Sequence, residues 1–226
     1  MLLAIAPGTG QATLPLARRG YRITAVERGA RMARVARERL AAYPDVTILN
    51  AAFEDVALAP GKCDLVYVAT AWHRIAPEVR FVKSHALLKP GGHPAIIRRH
   101  HISDAAGDAF PTAMAAIYRR YRAAVAPGAR TYVPRPIAAL GPEPIDEERF
   151  APVSFSAFPE VVRYAASACV DLLHTYSPTL AMPPATRDKL LREVAALIAA
   201  RFGGEVSQHY AQHYAMTLQL ARARPC

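Results

Sequence analysis

The most constraining stretch of this chain is its first thirty residues. Met1 to Ile5 is a short apolar run, Pro7-Gly8-Thr9-Gly10 is a turn, and Ala12, Leu14, Leu16 and Ala17 lead into a helix that stops at Gly20. This reads as strand, glycine turn and helix. Tyr21 to Val26 is rich in β-forming residues and closes on Glu27. A glycine turn lets the backbone approach a ligand closely, and the helix behind it offers unpaired amides at its start. An acidic residue closing the next strand is placed to accept both hydroxyls of a ribose. Gly8, Gly10 and Glu27 fit that geometry. Two-glycine turns open helices in many α/β folds, and Glu27 also reads as a solvated strand end, so these residues alone leave both alternatives open.

The pattern continues down the chain. Ala30 to Ala42 predicts a helix rich in arginine, Val46 to Leu49 a strand, Cys63 to Ala69 a nearly continuous apolar strand, and Val79 to Leu88 a helix ending at Lys89-Pro90-Gly91-Gly92. Pro94 to Arg98 predicts a fifth strand. Strands that read as unbroken apolar runs and alternate with helices belong to a parallel sheet covered on both faces. Residues 106 to 126 then carry Phe110, Met114, Ile117, Tyr121 and Val125 as a helical stripe, and 127 to 149 hold Pro127, Pro134, Pro136, Pro142 and Pro144. That predicts a helix and a proline-rich loop, residues 103 to 150, inserted after the fifth strand as a cap over the sheet's carboxyl edge. Phe150 to Phe158 reads as a returning strand, Val161 to Thr175 and Pro184 to Phe202 as helices, and Glu205 to Leu220 as a final strand. The whole chain, 1 to 226, is expected to be one α/β domain around a doubly wound, mostly parallel, seven-stranded sheet.

Several segments resemble successive motifs of the class I S-adenosylmethionine-dependent methyltransferases. They are Leu3-Ala4-Ile5-Ala6-Pro7-Gly8-Thr9-Gly10, Thr24-Ala25-Val26-Glu27, Asn50-Ala51-Ala52-Phe53-Glu54-Asp55, Cys63-Asp64-Leu65-Val66 with Ala71-Trp72-His73, and Leu88-Lys89-Pro90-Gly91-Gly92. The resemblance is nearest to the small-molecule subgroup that includes trans-aconitate methyltransferase, and continues through Asp171 to Ser177, Pro183-Pro184 and Gly203-Gly204. It implies a Rossmann-like methyltransferase fold, S-adenosylmethionine as cofactor and a small-molecule oxygen or carboxylate acceptor. It further implies that Gly8, Thr9 and Gly10 line the methionine part of the cofactor. Glu27 and Arg28 would lie at the ribose, Phe53 and Glu54 at the adenine, and Thr70 and Ala71 at the sulfonium. Phe53 and Trp72 also read as plain core residues.

Two departures stand in the first motif. Ala4 occupies a position that is usually acidic in the family, and Ala6 that of the first glycine. An alanine methyl in a tight turn displaces backbone, and the lost carboxylate would otherwise help hold the cofactor's ammonium group. A methyltransferase-fold protein with weakened cofactor binding, or one repurposed for cyclisation or isomerisation, is therefore the competing expectation.

For chemistry at the acceptor, His73, His100 and His101 are the candidate bases or positioners, since they fall at the ends of the fourth and fifth strands. Arg98, Arg99 and Tyr132 are candidates for an acceptor carboxylate, or ordinary exposed groups. His209 and His213 lie four apart in a predicted strand with no third ligand, so no metal is expected. Cys63, Cys169 and Cys226 are odd in number, widely spaced and form no CxxC pair, so neither a disulfide framework nor a zinc site is suggested and a reducing cytoplasm is expected. The formal net charge is +10, but of 28 basic residues four are lysine and the other 24 arginine, scattered over several predicted helices. Without an aromatic-and-basic module, and without an Asn/Asp-Pro-Pro-Tyr/Phe motif where Thr70-Ala71-Trp72-His73 stands, nucleic acid is not the expected partner. No signal peptide and no membrane span are expected. Oligomeric state is not readable.

Overall fold

The structure is a computed structural model that describes residues 1–103, 109–121, 134–151 and 154–216, with side chains described as far as 208. The elements run β1 (Leu2–Ile5), α1 (Leu14–Ala17), β2 (Ile23–Val26), α2 (Ala30–Leu40), β3 (Val46–Leu49), β4 (Cys63–Ala69), α3 (Pro77–Leu87) and β5 (Leu88–Ser103). They continue with α4 (Ala109–Arg120), β6 (Arg135–Pro136), β7 (Ser154–Ala165), α5 (Ala166–His174), α6 (Ser177–Leu180), α7 (Pro184–Arg201) and β8 (Glu205–Met216). Two compact units emerge. The first comprises 1–99, 141–156 and 213–226, the second 100–140 and 157–212.

In the first unit the strand order is β3-β2-β1-β4-β5, and the four pairings along it are all parallel. All four residues of β1 are buried, as the central strand of a sheet covered on both faces must be. One face packs Leu3, Ile5, Val66, Val68 and Ile96 against Phe53, Trp72 and Phe150. The other is lined by alanines: Ala4 and Ala25 from the strands meet Ala33 and Ala36 of α2, each fully buried. Small residues on both sides let α2 lie close against the sheet, and Leu40 completes its inward stripe at helical spacing.

Lys89 to Gly92 loop out of the β4–β5 ladder, whose register passes from Cys63↔Leu88 to Leu65↔His93. The predicted turn therefore exists, but as a bulge inside β5, which begins at Leu88 and not at Pro94. A Cβ on Gly92 would lie 3.0 Å from the carbonyl oxygens of Cys63 and Lys89. Gly92→Ala is expected to destabilise the protein by about 1–3 kcal/mol, as overpacking does. Urea unfolding measures it; an unchanged midpoint would show that the bulge yields.

The second unit holds its share of β5, β8 and β7, neighbours in that order, with β6 paired in parallel to β5 through Ile102↔Arg135 and Ser103↔Pro136. Its core gathers Phe110 and Ile117 of α4 with Cys169 and Leu173 of α5 and Leu190, Leu191, Val194 and Ile198 of α7. Phe110 and Phe202 meet edge to face at 5.5 Å. The apolar stripe read over 106–126 is thus the inward face of α4; Val125 and Pro127 lie outside the described residues.

Among the described residues seven strands form the main path of the sheet, as expected, and the two-residue β6 is an eighth off that path. Boundaries in the second half of the chain also differ from expectation. Val161 to Ala165 belong to β7, so the helix predicted from Val161 begins only at Ala166. The run Val161-Val162 is β-branched and Tyr164 is aromatic, which favours the pleated strand locally. Phe150 lies outside the returning strand, which starts at Ser154, because its ring is buried in the first unit's core. The expected end of the last strand, 217–220, lies outside the described residues. No helix of the described residues is long and apolar enough to cross a membrane.

Candidate functional site

The turn after β1 is built from left-handed backbone. Ala6 has φ 48°, Gly8 φ 59° and Gly10 φ 80°. The Ala6 amide still donates to Val26 O at 2.9 Å, so the chain turns immediately after its last sheet bond. Gly10 N donates to Pro7 O at 2.9 Å and Leu14 N to Gly10 O at 2.9 Å, closing the turn onto α1. A Cβ on Gly8 would meet nothing within 4 Å, whereas one on Gly10 would approach Leu40 Cδ1 to 3.0 Å. Gly8 therefore faces open space and Gly10 faces the packed helix α2.

Glu27, at the carboxyl end of β2, reaches across to this turn. Its Oε2 accepts from the Gly8 amide at 2.9 Å and its Oε1 from the Gly29 amide at 2.7 Å. The residue is only 8% exposed, so these charge-assisted bonds are sheltered from water. Asn50 holds the segment from the other side, its Nδ2 donating to Glu27 O at 2.8 Å and Arg28 O at 3.1 Å. Glu27 is thus no solvated strand end: it ties the turn to the start of α2. Gly29 was not singled out from sequence, although a glycine two residues beyond the acid was the available signal; a Cβ there would lie 3.1 Å from Glu27 Oε1.

Ala6 occupies a backbone conformation that costs an L-residue about 1–2 kcal/mol. Replacing it by glycine removes that cost and adds back about 0.5–1 kcal/mol of unfolded-chain freedom. Ala6→Gly is therefore expected to stabilise the fold by about 0.5–1 kcal/mol, read as a rise in the denaturation midpoint; a fall would mean that the methyl makes a compensating contact.

After β3, Phe53 is buried in the core, with Lys83 Nζ 5.2 Å from its ring centre. The same ammonium donates to Glu54 O at 3.0 Å and Val56 O at 2.7 Å. Glu54 Oε1 accepts from Ala76 N at 3.1 Å, at the entry to α3. Its own backbone amide first, then that of Ala76, hold its carboxyl below the usual carboxylate range. This part of the expected adenine border is therefore a strut between the β3–β4 loop and α3.

Thr70, one residue beyond β4, has φ 60°, a conformation that costs a β-branched residue about 1–3 kcal/mol. Its amide donates to Ile97 O at 2.8 Å, the last sheet bond of that edge. No sequence signal predicts a threonine there. Ala71 and Trp72 are buried, and Trp72 packs edge to face on Phe81 at 4.9 Å under the Arg80 guanidinium at 5.2 Å. Trp72 is thus a core residue, while His73, next in a single helical turn, is exposed.

His100 and His101 stand in the second unit, three and four residues past the last β4 partner pair, Ala69↔Ile97. Strand alternation sends their side chains to opposite faces, and His101 meets the Tyr176 ring at 6.5 Å. Arg98, read as a possible carboxylate receptor, forms an ion pair with Glu143. Arg99 is exposed. Tyr132 and the side chains of His209 and His213 lie outside the described residues, among which no group of three His, Cys, Asp or Glu is placed to hold a metal.

A left-handed glycine turn after the first of five parallel strands, bonded to an acid at the end of the second, coincides with a match to known proteins. Residues 3–96 match the family model of the methyltransferase domain. The fold is the Rossmann-like methyltransferase fold. An uncharacterised methyltransferase of Mycobacterium tuberculosis is 32% identical over 96 residues, and its counterpart in Mycobacterium bovis matches equally. That stretch is 42% of this chain, and the chain spans only 38% of the length of these relatives. Among solved structures, a type II methyltransferase candidate from Anaeromyxobacter dehalogenans superposes with a TM-score of 0.64 at 23% identity, over 96% of this chain and 87% of that one. The [4+2]-cyclase SpnF superposes with a TM-score of 0.51 at 13% identity, over 95% and 74%. The cofactor that goes with the methyltransferase domain is S-adenosylmethionine. The turn has room beside an acceptor suited to such a group: a Cβ on Gly8 would meet nothing within 4 Å, and the buried Glu27 carboxylate is bonded to the Gly8 amide.

Proposed function

We propose that this chain transfers a methyl group from S-adenosylmethionine to a small-molecule oxygen or carboxylate acceptor. The observation that supports the reading is the Glu27 carboxylate, held against the Gly8 amide at the mouth of the glycine turn. Gly8, Thr9 and Gly10 would hold the methionine part, Glu27 and Arg28 the ribose, and Thr70 and Ala71 the reacting end, where parallel sheets of this kind place their ligands. Bound there, the cofactor supplies an electrophilic methyl carbon. The protein's share is alignment of the acceptor and, for an alcohol, removal of its proton. His73, His100 and His101 are the proposed groups for that step; a carboxylate acceptor needs no base. Residues 103–150 would select the acceptor, in keeping with the small-molecule subgroup that the motifs resemble.

Ala4 and Ala6 favour a second reading, a methyltransferase fold that performs a non-methylating reaction such as cyclisation. The likeness to SpnF is one of fold alone, and one fold hosts many chemistries. Incubating the protein with S-adenosylmethionine and a panel of low-molecular-weight carboxylic acids and phenols separates the two. Acceptor-dependent release of S-adenosylhomocysteine is expected. A protein that binds the cofactor yet releases none with any acceptor would favour the second reading.

A further inference from the structure

Ala4, the β1 residue nearest the turn in the layer packed against α2, carries no polar atom, and its register partners are Ala25 on β2 and Tyr67 on β4. Tyr67 is only 3% exposed and lies in the alanine-lined layer with Ala4, Ala25, Ala33 and Ala36. Its hydroxyl donates to Thr13 Oγ1 at 3.0 Å. Thr13 is itself fully buried, three residues after Gly10, in the N-cap position of α1. A threonine there ordinarily caps its own helix, yet this side chain makes no cap bond. It faces the sheet instead. Burial pushes the Tyr67 phenol up to about 12, so the donor proton is present throughout the ordinary pH range.

The glycine turn is therefore held at both ends by partners on different strands. Gly8 is bonded to Glu27 at the end of β2, and the far end of the turn, through Thr13, to Tyr67 on β4. Gly8 and Gly10 have left-handed backbone and no side chains to anchor them, so these two ties, with the bonds of Gly10 N to Pro7 O and Leu14 N to Gly10 O inside the turn, set the direction of its backbone.

We propose that Tyr67 is a positioning residue for the cofactor turn: through Thr13 it fixes the start of α1, and so the direction in which the Gly8–Gly10 backbone meets an adenosyl ligand. The proposal rests on the reading of the turn as a cofactor site. Tyr67 touches no reacting atom; it acts through Thr13. Ala4 leaves its side of this layer without a polar group, and the phenol on the neighbouring strand supplies one.

The test uses three chains, the wild type, Tyr67→Phe and Thr13→Ser. S-adenosylhomocysteine is titrated into each by calorimetry, and amide hydrogen exchange is followed at Gly10 and Leu14, whose bonds close the turn, and at Ile23–Val26 in β2. Tyr67→Phe is expected to weaken S-adenosylhomocysteine and to speed exchange at Gly10 and Leu14, each by about tenfold, with the β2 amides unchanged. Thr13→Ser keeps the acceptor oxygen and should stay within about twofold of the wild type in both readouts. Unchanged affinity and exchange in Tyr67→Phe, or exchange that rises equally across the sheet, would overturn the proposal, since a merely structural tyrosine lowers stability everywhere. Failure of the cofactor reading looks different: the wild type itself gives no heat, while the exchange arm still reports whether Tyr67 holds the turn.

Discussion

Glu27→Ala is expected to raise the dissociation constant for S-adenosylhomocysteine at least about a hundredfold, removing measurable binding from a micromolar site. Two effects add. The carboxylate that would accept the ribose hydroxyls is lost, and the amides of Gly8 and Gly29 lose their present acceptors, at 2.9 and 2.7 Å. Glu27→Gln is expected to fall between the two, since its amide oxygen can serve one donor but the NH2 opposes the other. Isothermal calorimetry on the three proteins checks this order. Equal affinity for wild type and Glu27→Ala would place the ligand away from this turn.

The largest expected loss of stability follows from Phe150→Ala, about 3–5 kcal/mol. Phe150 is 1% exposed and its ring meets Phe81 at 5.9 Å and His85 at 5.6 Å, both on α3. It anchors 141–151 to the rest of the first unit, where Glu143 also pairs with Arg98. Removing the ring leaves a cavity between α3 and the sheet, lined by Trp72 and its neighbours. Denaturant unfolding measures the loss; a change below about 1 kcal/mol would mean that the returning segment is held by other contacts.

The parallel half of the sheet was legible because its strands are buried on both faces and so read as unbroken apolar runs. Val46–Leu49 and Cys63–Ala69 have the boundaries the sequence predicts, and the glycine turn and Glu27 stand where spacing puts them. The second half was harder. β7 has no buried residue and its alternation of exposed and half-buried positions is broken by four exposed residues from Phe158 to Val161, so Val161 and Val162 fit a helical stripe as readily as a strand until their partners are known. The bulge at Lys89–Gly92 looked like the end of an element because glycine and proline punctuate a bulge and a turn alike.

Within the site, residue type announced the carboxylate but not its bonds. That Glu27 clasps Gly29 as well as Gly8 depends on how β2 meets α2 in space. The left-handed backbone of Ala6 and Thr70 contradicts local preference and is imposed by the sheet bonds of the residues around them. The bond between Tyr67 and Thr13 spans 54 positions, and neither residue carries a pattern that announces it. Phe53, by contrast, carries two readings in the sequence, adenine border and core, and the residue is buried in the structure.

The turn formed by Gly8, Gly10 and Glu27 is proposed to hold an adenosyl cofactor, and calorimetric titration of the wild-type chain with S-adenosylhomocysteine tests this. Saturable binding in the micromolar range at one site per chain is expected. A chain shown by circular dichroism to be folded that gives no heat with S-adenosylhomocysteine or S-adenosylmethionine would contradict it.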